Sequence, residues 1–239
     1  MIEVKNLVKT YGKKDSAFNA VDGVSFTIPT GKSIAILGKS GSGKSTLMHI
    51  MSGLDKPTSG EIIIDGQNIL KLKQKDIDKF RSSEMSFIFQ SFFVQAKESC
   101  YDNVSLPLEI AKISVGKRRK MIESALAAVD MSEKVKAKAK ELSGGQKQRL
   151  AVARAIVNSP TIVFADEPTG NLDSVTGGMV EDLLFKYSKE NDVTLIIVTH
   201  DSDLANRCEM QIHLKDGQID DMNPPKFLGK TLVGRRLKK

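Results

Sequence analysis

The 239-residue chain has no tryptophan, and aromatic residues make up only 5% of it. A core of this size must therefore rest on aliphatic side chains. Cysteine is scarce too. Cys100 and Cys208 stand alone with no metal-like spacing around them. That excludes a disulfide framework or a zinc ribbon, and both are expected as reduced thiols of a cytoplasmic protein. No run approaches the roughly 18 apolar residues a membrane span needs. Met1-Ile2-Glu3-Val4-Lys5 carries no apolar signal segment. Internal repeats and low-complexity stretches are missing as well, which excludes a solenoid or a linker-rich chain.

Acidic charge is the minority, and the net charge is +7. Nucleic acid, an anionic membrane surface or a lysine-rich exterior would each be consistent with it. The excess collects in Lys117-Arg118-Arg119-Lys120, in Lys134, Lys136, Lys138 and Lys140, and in the tail Arg235-Arg236-Leu237-Lys238-Lys239. The two internal groups fall in helical-looking sequence and read as solvated faces. The tail is the candidate for touching anionic lipid or for disorder.

What the chain does have is Gly38-Lys39-Ser40-Gly41-Ser42-Gly43-Lys44-Ser45-Thr46. The buried-strand pattern Ile34-Ala35-Ile36-Leu37 precedes it, and the helical pattern Leu47–Met51 follows. Gly38, Gly43, Lys44 and Ser45 have the spacing of a phosphate loop. Glycine lets the backbone curl so that several N–H groups meet one anion at a helix N-terminus. Lys44 can reach the β- and γ-phosphates, and the Ser45 hydroxyl can ligate magnesium.

Residues 2–9, 21–28 and 60–66 alternate as strands and predict a small antiparallel sheet beside this loop. Lys75 to Arg81 reads as a helix and Met85–Phe89 as a short strand. From Asn103 to Lys140 the pattern is mainly helical, with Pro107 expected to break or open a segment. Leu142-Ser143-Gly144-Gly145-Gln146 opens a further helix, with Ser143 and Gln146 at capping-box spacing. Thr161–Ala165 and Val193–Thr199 are fully apolar strands, separated by a helix over 175–190. Met210–Leu214, a turn at Asp216-Gly217 and a polar tail complete the chain. Continuous apolar strands alternating with helices predict a mostly parallel sheet.

Ligands collect at the carboxyl ends of such strands. Four polar groups fall there: the phosphate loop, Gln90, Asp166-Glu167 and His200. Asp166 suits a magnesium-holding carboxylate across from Ser45. Glu167 suits the general base for an attacking water, provided the chain turns so that both acids serve one site. Pro168 makes such a turn plausible. Gln90 can meet the metal or the water, and His200 a γ-phosphate oxygen or the attacking water. Two glycines behind Ser143 make a second anion site. One nucleotide already has its loop, so the simplest use of the second is in trans. Two copies would pack head to tail, each lending Ser143, Gly144, Gly145 and Gln146 to the other's ATP.

In this order the motifs resemble the nucleotide-binding subunit of ATP-binding cassette (ABC) transporters over nearly the whole chain. Leu142–Gln146 matches that family's signature motif. The resemblance implies an α/β fold of the ABC nucleotide-binding type. Such a fold has a RecA-like, mostly parallel core, an antiparallel β subdomain and an inserted helical subdomain. The expected segments are 1–90 and 160–225 for the core, 91–159 for the helical subdomain and 226–239 for a basic tail. It implies an Mg2+-dependent ATPase, with Gln90 as the Q-loop residue, His200 as the switch histidine, Asn171-Leu172-Asp173 as the loop coupling two sites, and Tyr11 stacking on adenine. It also implies a separate transmembrane permease as partner, at the cytoplasmic face of the membrane. Nucleic acid is not an expected partner: the coiled-coil insertion of repair-type members and the doubled cassette of ribosome-acting members are both missing. The alternatives are the ATPase of a membrane-bound regulator that moves no cargo and a soluble ABC-type ATPase acting on nucleic acid or the ribosome. Phe89–Phe92, Asp102–Leu108 and Ala165–Asp173 resemble the branch for macrolide export, lipoprotein release and antimicrobial-peptide export. The stretch Phe93–Tyr101 departs from that branch's apolar, proline-containing pattern.

Overall fold

The computed structural model describes residues 1–223. The expected basic tail, 226–239, lies outside them. Alternating Ile2, Val4 and Leu7 are all buried and make β1 (Ile2–Tyr11), which pairs antiparallel with β2 (Phe18–Ile28). The apolar run before the phosphate loop is β3 (Ser33–Leu37), buried throughout. The loop feeds α1 (Lys44–Met51). β4 (Ser59–Ile64) and β5 (Gln67–Asn68) join the first two strands in a four-stranded antiparallel sheet of order β2-β1-β4-β5.

Then come α2 (Gln74–Glu84), β6 (Met85–Phe89) and a helical lobe of α3 (Cys100–Ile110), α4 (Val115–Ala128) and α5 (Gly144–Ile156). The core resumes with β7 (Ile162–Asp166), α6 (Ser174–Glu190), β8 (Thr194–Thr199), the short α7 (Ser202–Asn206), β9 (Met210–Lys215) and β10 (Gln218–Asn223). The second sheet has the order β10-β9-β3-β8-β7-β6 and is parallel except for β10.

The parallel strands are apolar on both faces because both faces are covered. Ile34, Ile36, Phe164, Ile196 and Val198 pack toward α1 and the antiparallel sheet. Ala35, Leu37, Val163, Ala165, Leu195 and Ile197 pack on the other side with Leu126, Leu150 and Val180. Register then decides where the chemistry sits. Phe89 pairs with Asp166, Asp166 with Val198, and Ile36 with Val198. The four carboxyl ends therefore finish at one level.

Three expectations need correction. Pro107 neither breaks nor opens a helix but lies inside α3. Its ring forfeits the N–H that would reach the Asn103 carbonyl, yet buried Val104 and Leu108 hold the helix in the lobe's core. The lysines from Lys134 to Lys140 lie on short 3-10 turns and extended backbone rather than on a helix. All four are exposed, while Val135 and Ala137 are half-buried and Ala139 is buried. A lysine at every second residue already departs from the helical period, and the exposure alternates with it. The polar tail after Asp216-Gly217 begins as strand β10. Both turn residues have positive φ (47° and 80°), as a two-residue hairpin turn demands. β10 is an edge strand with five of its six residues exposed, so it shows no apolar period.

Candidate nucleotide site at the strand ends

The phosphate loop turns where a side chain would not fit. A Cβ on Gly43 (φ 99°) would sit 2.0 Å from the Ala20 carbonyl oxygen, and one on Gly38 (φ 157°) 2.3 Å from that of Leu214. α1 starts at Gly43 with no side-chain cap and no acid in its first turn. Its leading N–H groups are thus left for an anion. Lys44 is buried and donates from Nζ to the carbonyls of Gly38 (2.8 Å) and Lys39 (3.0 Å). The ammonium is held across the loop mouth.

These groups open into a cavity of about 800 Å³ lined by Tyr11, Phe18, Ala20, Lys39–Gly41, Gly43–Thr46, Gln90, Asp166, Glu167 and His200. The phosphate loop, Gln90, Asp166-Glu167 and His200 thus line one cavity. Gly38 and Ser42 shape the loop without lining this cavity; Ser42 is buried and its carbonyl accepts from the Gly217 N–H at 3.1 Å.

Asp166 and Glu167 serve the same cavity because Glu167 itself, rather than Pro168, makes the turn. Its φ is +47°. A non-glycine residue there costs about 1–3 kcal/mol and is held only by its surroundings. Here the Glu167 N–H donates to the Val198 carbonyl (2.9 Å). Its carboxylate accepts from the Thr199 hydroxyl (3.1 Å) and the His200 N–H (3.0 Å), with His200 Nδ1 at 2.6 Å. With Nδ1 on the carboxylate, Nε2 is the ring nitrogen left for a ligand. Burial pushes the Asp166 carboxyl above its ordinary range and the charge of Glu167 adds to that, while a hydrogen bond from Ser45 and the charges of His49 and Lys44 oppose it. Gln90 is tied to the loop after β7. Its Nε2 reaches Asn171 Oδ1 at 3.4 Å, and Asn171 Nδ2 donates back to the Gln90 carbonyl at 2.9 Å.

At the far end of the cavity, the Tyr11 hydroxyl donates to Asp55 (3.0 Å), an acid that also accepts from Lys9. The Phe18 ring stands 6.0 Å away, tilted by 41°. Sequence reasoning passed over Phe18. Its signal was an aromatic paired with Tyr11 at the turn end of the β1–β2 hairpin, 60% exposed in the fold.

The signature stretch lies elsewhere. Ser143 and Gln146 form the reciprocal capping box, with Gln146 N–H donating to Ser143 Oγ (3.3 Å) and Ser143 N–H to Gln146 Oε1 (3.0 Å). Neither residue lines the phosphate cavity; they border a separate hollow of about 140 Å³ with Gly145, Arg149, Thr176 and Met179. Gly144 opens the helix just outside that hollow. Asp173 caps α6, accepting from the Thr176 N–H at 3.0 Å, and that bond holds its carboxyl below the usual range.

The family description "ABC transporter" matches residues 21–170. The chain belongs to the ABC transporter family. It is 41% identical over 219 residues to a protein named lipoprotein-releasing system ATP-binding protein LolD from Syntrophotalea carbinolica, covering 92% of this chain and 96% of that one. It is 42% identical over 219 residues to a macrolide export ATP-binding/permease protein, MacB, from Hyphomonas neptunium, covering 92% of this chain but 34% of the other. A dimeric cassette structure in a post-hydrolysis state, bound to ADP and Pi, matches with a TM-score of 0.85 at 38% identity, covering 94% of this chain and 98% of that one. The chain is thus an ABC-type ATPase subunit of a transporter, and ATP is its nucleotide.

Proposed function

We propose that two copies of this chain close head to tail around two ATP molecules and that the closure drives a separate membrane subunit. The observation that carries this reading is that Ser143, Gly145 and Gln146 stand apart from the chain's own phosphate cavity. In a head-to-tail pair this capped helix end serves the other molecule's nucleotide, the remaining N–H groups and the dipole favouring an anion there. Val175 (71% exposed) and Met179 (62%), at the start of α6 beside it, supply an apolar flank for the contact. The dimeric cassette bound to ADP and Pi supports the same arrangement.

In each site Glu167 acts as the general base on the attacking water, with His200 beside it and Gln90 facing the phosphates. Lys39 to Thr46 cradle the triphosphate, with Gly38 and Ser42 shaping the loop, and Asp173 marks the coupling loop. The hard oxygens of Ser45 and Asp166 suit Mg2+, which supplies charge neutralisation on the phosphates when bound. Among the described residues there is no cluster of three or more acidic, histidine or cysteine ligands. That fits an ion held chiefly by substrate oxygens and water.

The chain divides into the two core segments, 1–90 and 160–225, around the helical segment 91–159, with 226–239 as a basic tail. Between core and helical lobe runs an apolar groove of about 580 Å³ lined by Phe87, Phe89, Phe93, Pro107, Ile110 and Arg154. It begins next to Gln90 and seats a segment of the permease. No helix among the described residues is long and apolar enough to cross a membrane, so attachment to the cytoplasmic face runs through that partner. The cargo in this reading is a peptide, lipoprotein or antibiotic, and the relatives' names support the lipoprotein and the macrolide antibiotic among these.

Two results follow. ATPase activity per mole of purified chain rises with chain concentration and then saturates; activity independent of concentration in a strictly monomeric preparation overturns the head-to-tail reading. Tyr11→Ala weakens ATP binding by about 5- to 20-fold, in the range of ~1–3 kcal/mol for base–aromatic stacking. Phe18→Ala weakens it less, and turnover at saturating ATP persists in both. Titration with a fluorescent ATP analogue measures this, and unchanged affinity in both variants removes the two rings from the site.

A further inference from the structure

Gln148 lies one and a half turns into α5, on the helix's buried stripe with Gly145, Ala151 and Val152, and is fully buried. Its Nε2 donates to the Pro168 carbonyl at 2.5 Å and reaches the Phe89 carbonyl at 3.5 Å. Both facing groups are acceptors, so the nitrogen must face them. Its Oε1 has no hydrogen-bond partner among the described residues. A buried amide left half-satisfied destabilises a fold relative to an apolar side chain of like shape. Packing alone therefore does not account for a glutamine here.

The partners do. Pro168 follows Glu167, whose strained backbone sets the catalytic turn, and Phe89 precedes Gln90. One side chain thus grips the backbone beside two of the groups that face the phosphates. It does so from the helix whose N-terminus carries Ser143.

We infer that Gln148 is a positioning residue that couples the two nucleotide sites of the dimer. This rests on the head-to-tail reading above. There, α5 of one chain docks on the partner's nucleotide. Any shift of α5 along its axis is passed by Gln148 Nε2 to the Glu167–Pro168 turn, which serves the chain's own nucleotide. Docking at one site thereby sets the base at the other. Arg154, further along α5, ties the same helix to the stretch after Gln90 through the Phe92 (3.1 Å) and Phe93 (2.6 Å) carbonyls.

The test uses Gln148→Met, which keeps the length and volume and removes the donor, and Gln148→Asn, which keeps the donor but withdraws it by one methylene. Both are measured in the full chain for ATP affinity, for kcat and Hill coefficient in ATP, and for ATP-driven dimerisation in a Glu167→Gln background. ATP affinity and dimerisation are expected to persist. Turnover is expected to drop at least about tenfold, since misplacing a catalytic group by ~1 Å can cost about a hundredfold. The Hill coefficient is expected to fall from about two, the number of sites, toward one. Turnover within about threefold of the parent, or a fall with the Hill coefficient unchanged, overturns the inference. If either variant fails to fold, the other decides. If the Glu167→Gln parent itself does not dimerise with ATP, the head-to-tail reading falls first and the inference with it.

Discussion

Glu167→Gln abolishes turnover and leaves ATP bound between two copies of the chain. The carboxylate accepts from Thr199, from the His200 N–H and against His200 Nδ1. An amide in its place keeps one accepting oxygen and turns an NH2 toward a donor. It cannot take a proton from water. Losing a positioned general base costs about 10²–10⁴ in kcat, while the phosphate loop, Lys44 and the signature stretch are untouched. The mixture of variant and ATP should therefore elute from gel filtration as a dimer, and the apo variant as a monomer. Normal hydrolysis by this variant would remove Glu167 from the role of base. Dimerisation without ATP would remove the nucleotide as the glue.

Ser143→Arg blocks closure without disturbing the monomer's own nucleotide. Ser143 Oγ caps α5, so its loss costs the helix about 1 kcal/mol, too little to unfold the chain. The arginine would occupy the space in front of the Gly144-Gly145 end, where the proposed head-to-tail pair places the partner's γ-phosphate. Turnover should fall by at least about two orders of magnitude, the scale for removing a donor aimed at developing charge. Binding of a fluorescent ATP analogue should stay within about twofold of the parent, because no phosphate-loop contact changes. Combined with Glu167→Gln, the substitution should eliminate the dimer peak. Lost ATP binding in the single variant would instead mean that this stretch serves its own chain's nucleotide. Ser143→Ala is the control: it removes the cap alone and should be far milder.

The parallel core was legible because its strands are apolar on both faces and end in polar residues. Thr161–Ala165 and Val193–Thr199 could hardly be anything but buried strands, and the register of β7 and β8 then brings Asp166 and His200 to the phosphate loop. The capping box at Ser143 and Gln146 was equally plain, since local hydrogen bonds depend on spacing alone. What escaped was long-range. Nothing in the neighbourhood of Gln148 announces that its amide reaches Pro168, twenty residues on. A polar residue in an apolar helical stripe was the one clue. Pro107 misled because a proline's local cost can be outweighed by tertiary burial, which the sequence does not display. The turn at Glu167 was required by the chemistry but attributed to the following proline. A left-handed backbone at a glutamate has no compositional mark.

The shared finishing level of β3, β6, β7 and β8 also limits how this protein can change over evolutionary time. One residue inserted within β7 would rotate the strand beyond it to the opposite face, exchanging Asp166 for an alanine at the position that lines the cavity. The number of residues in these strands therefore bears directly on the hydrolytic centre, because a length change would displace the acid from the phosphate loop.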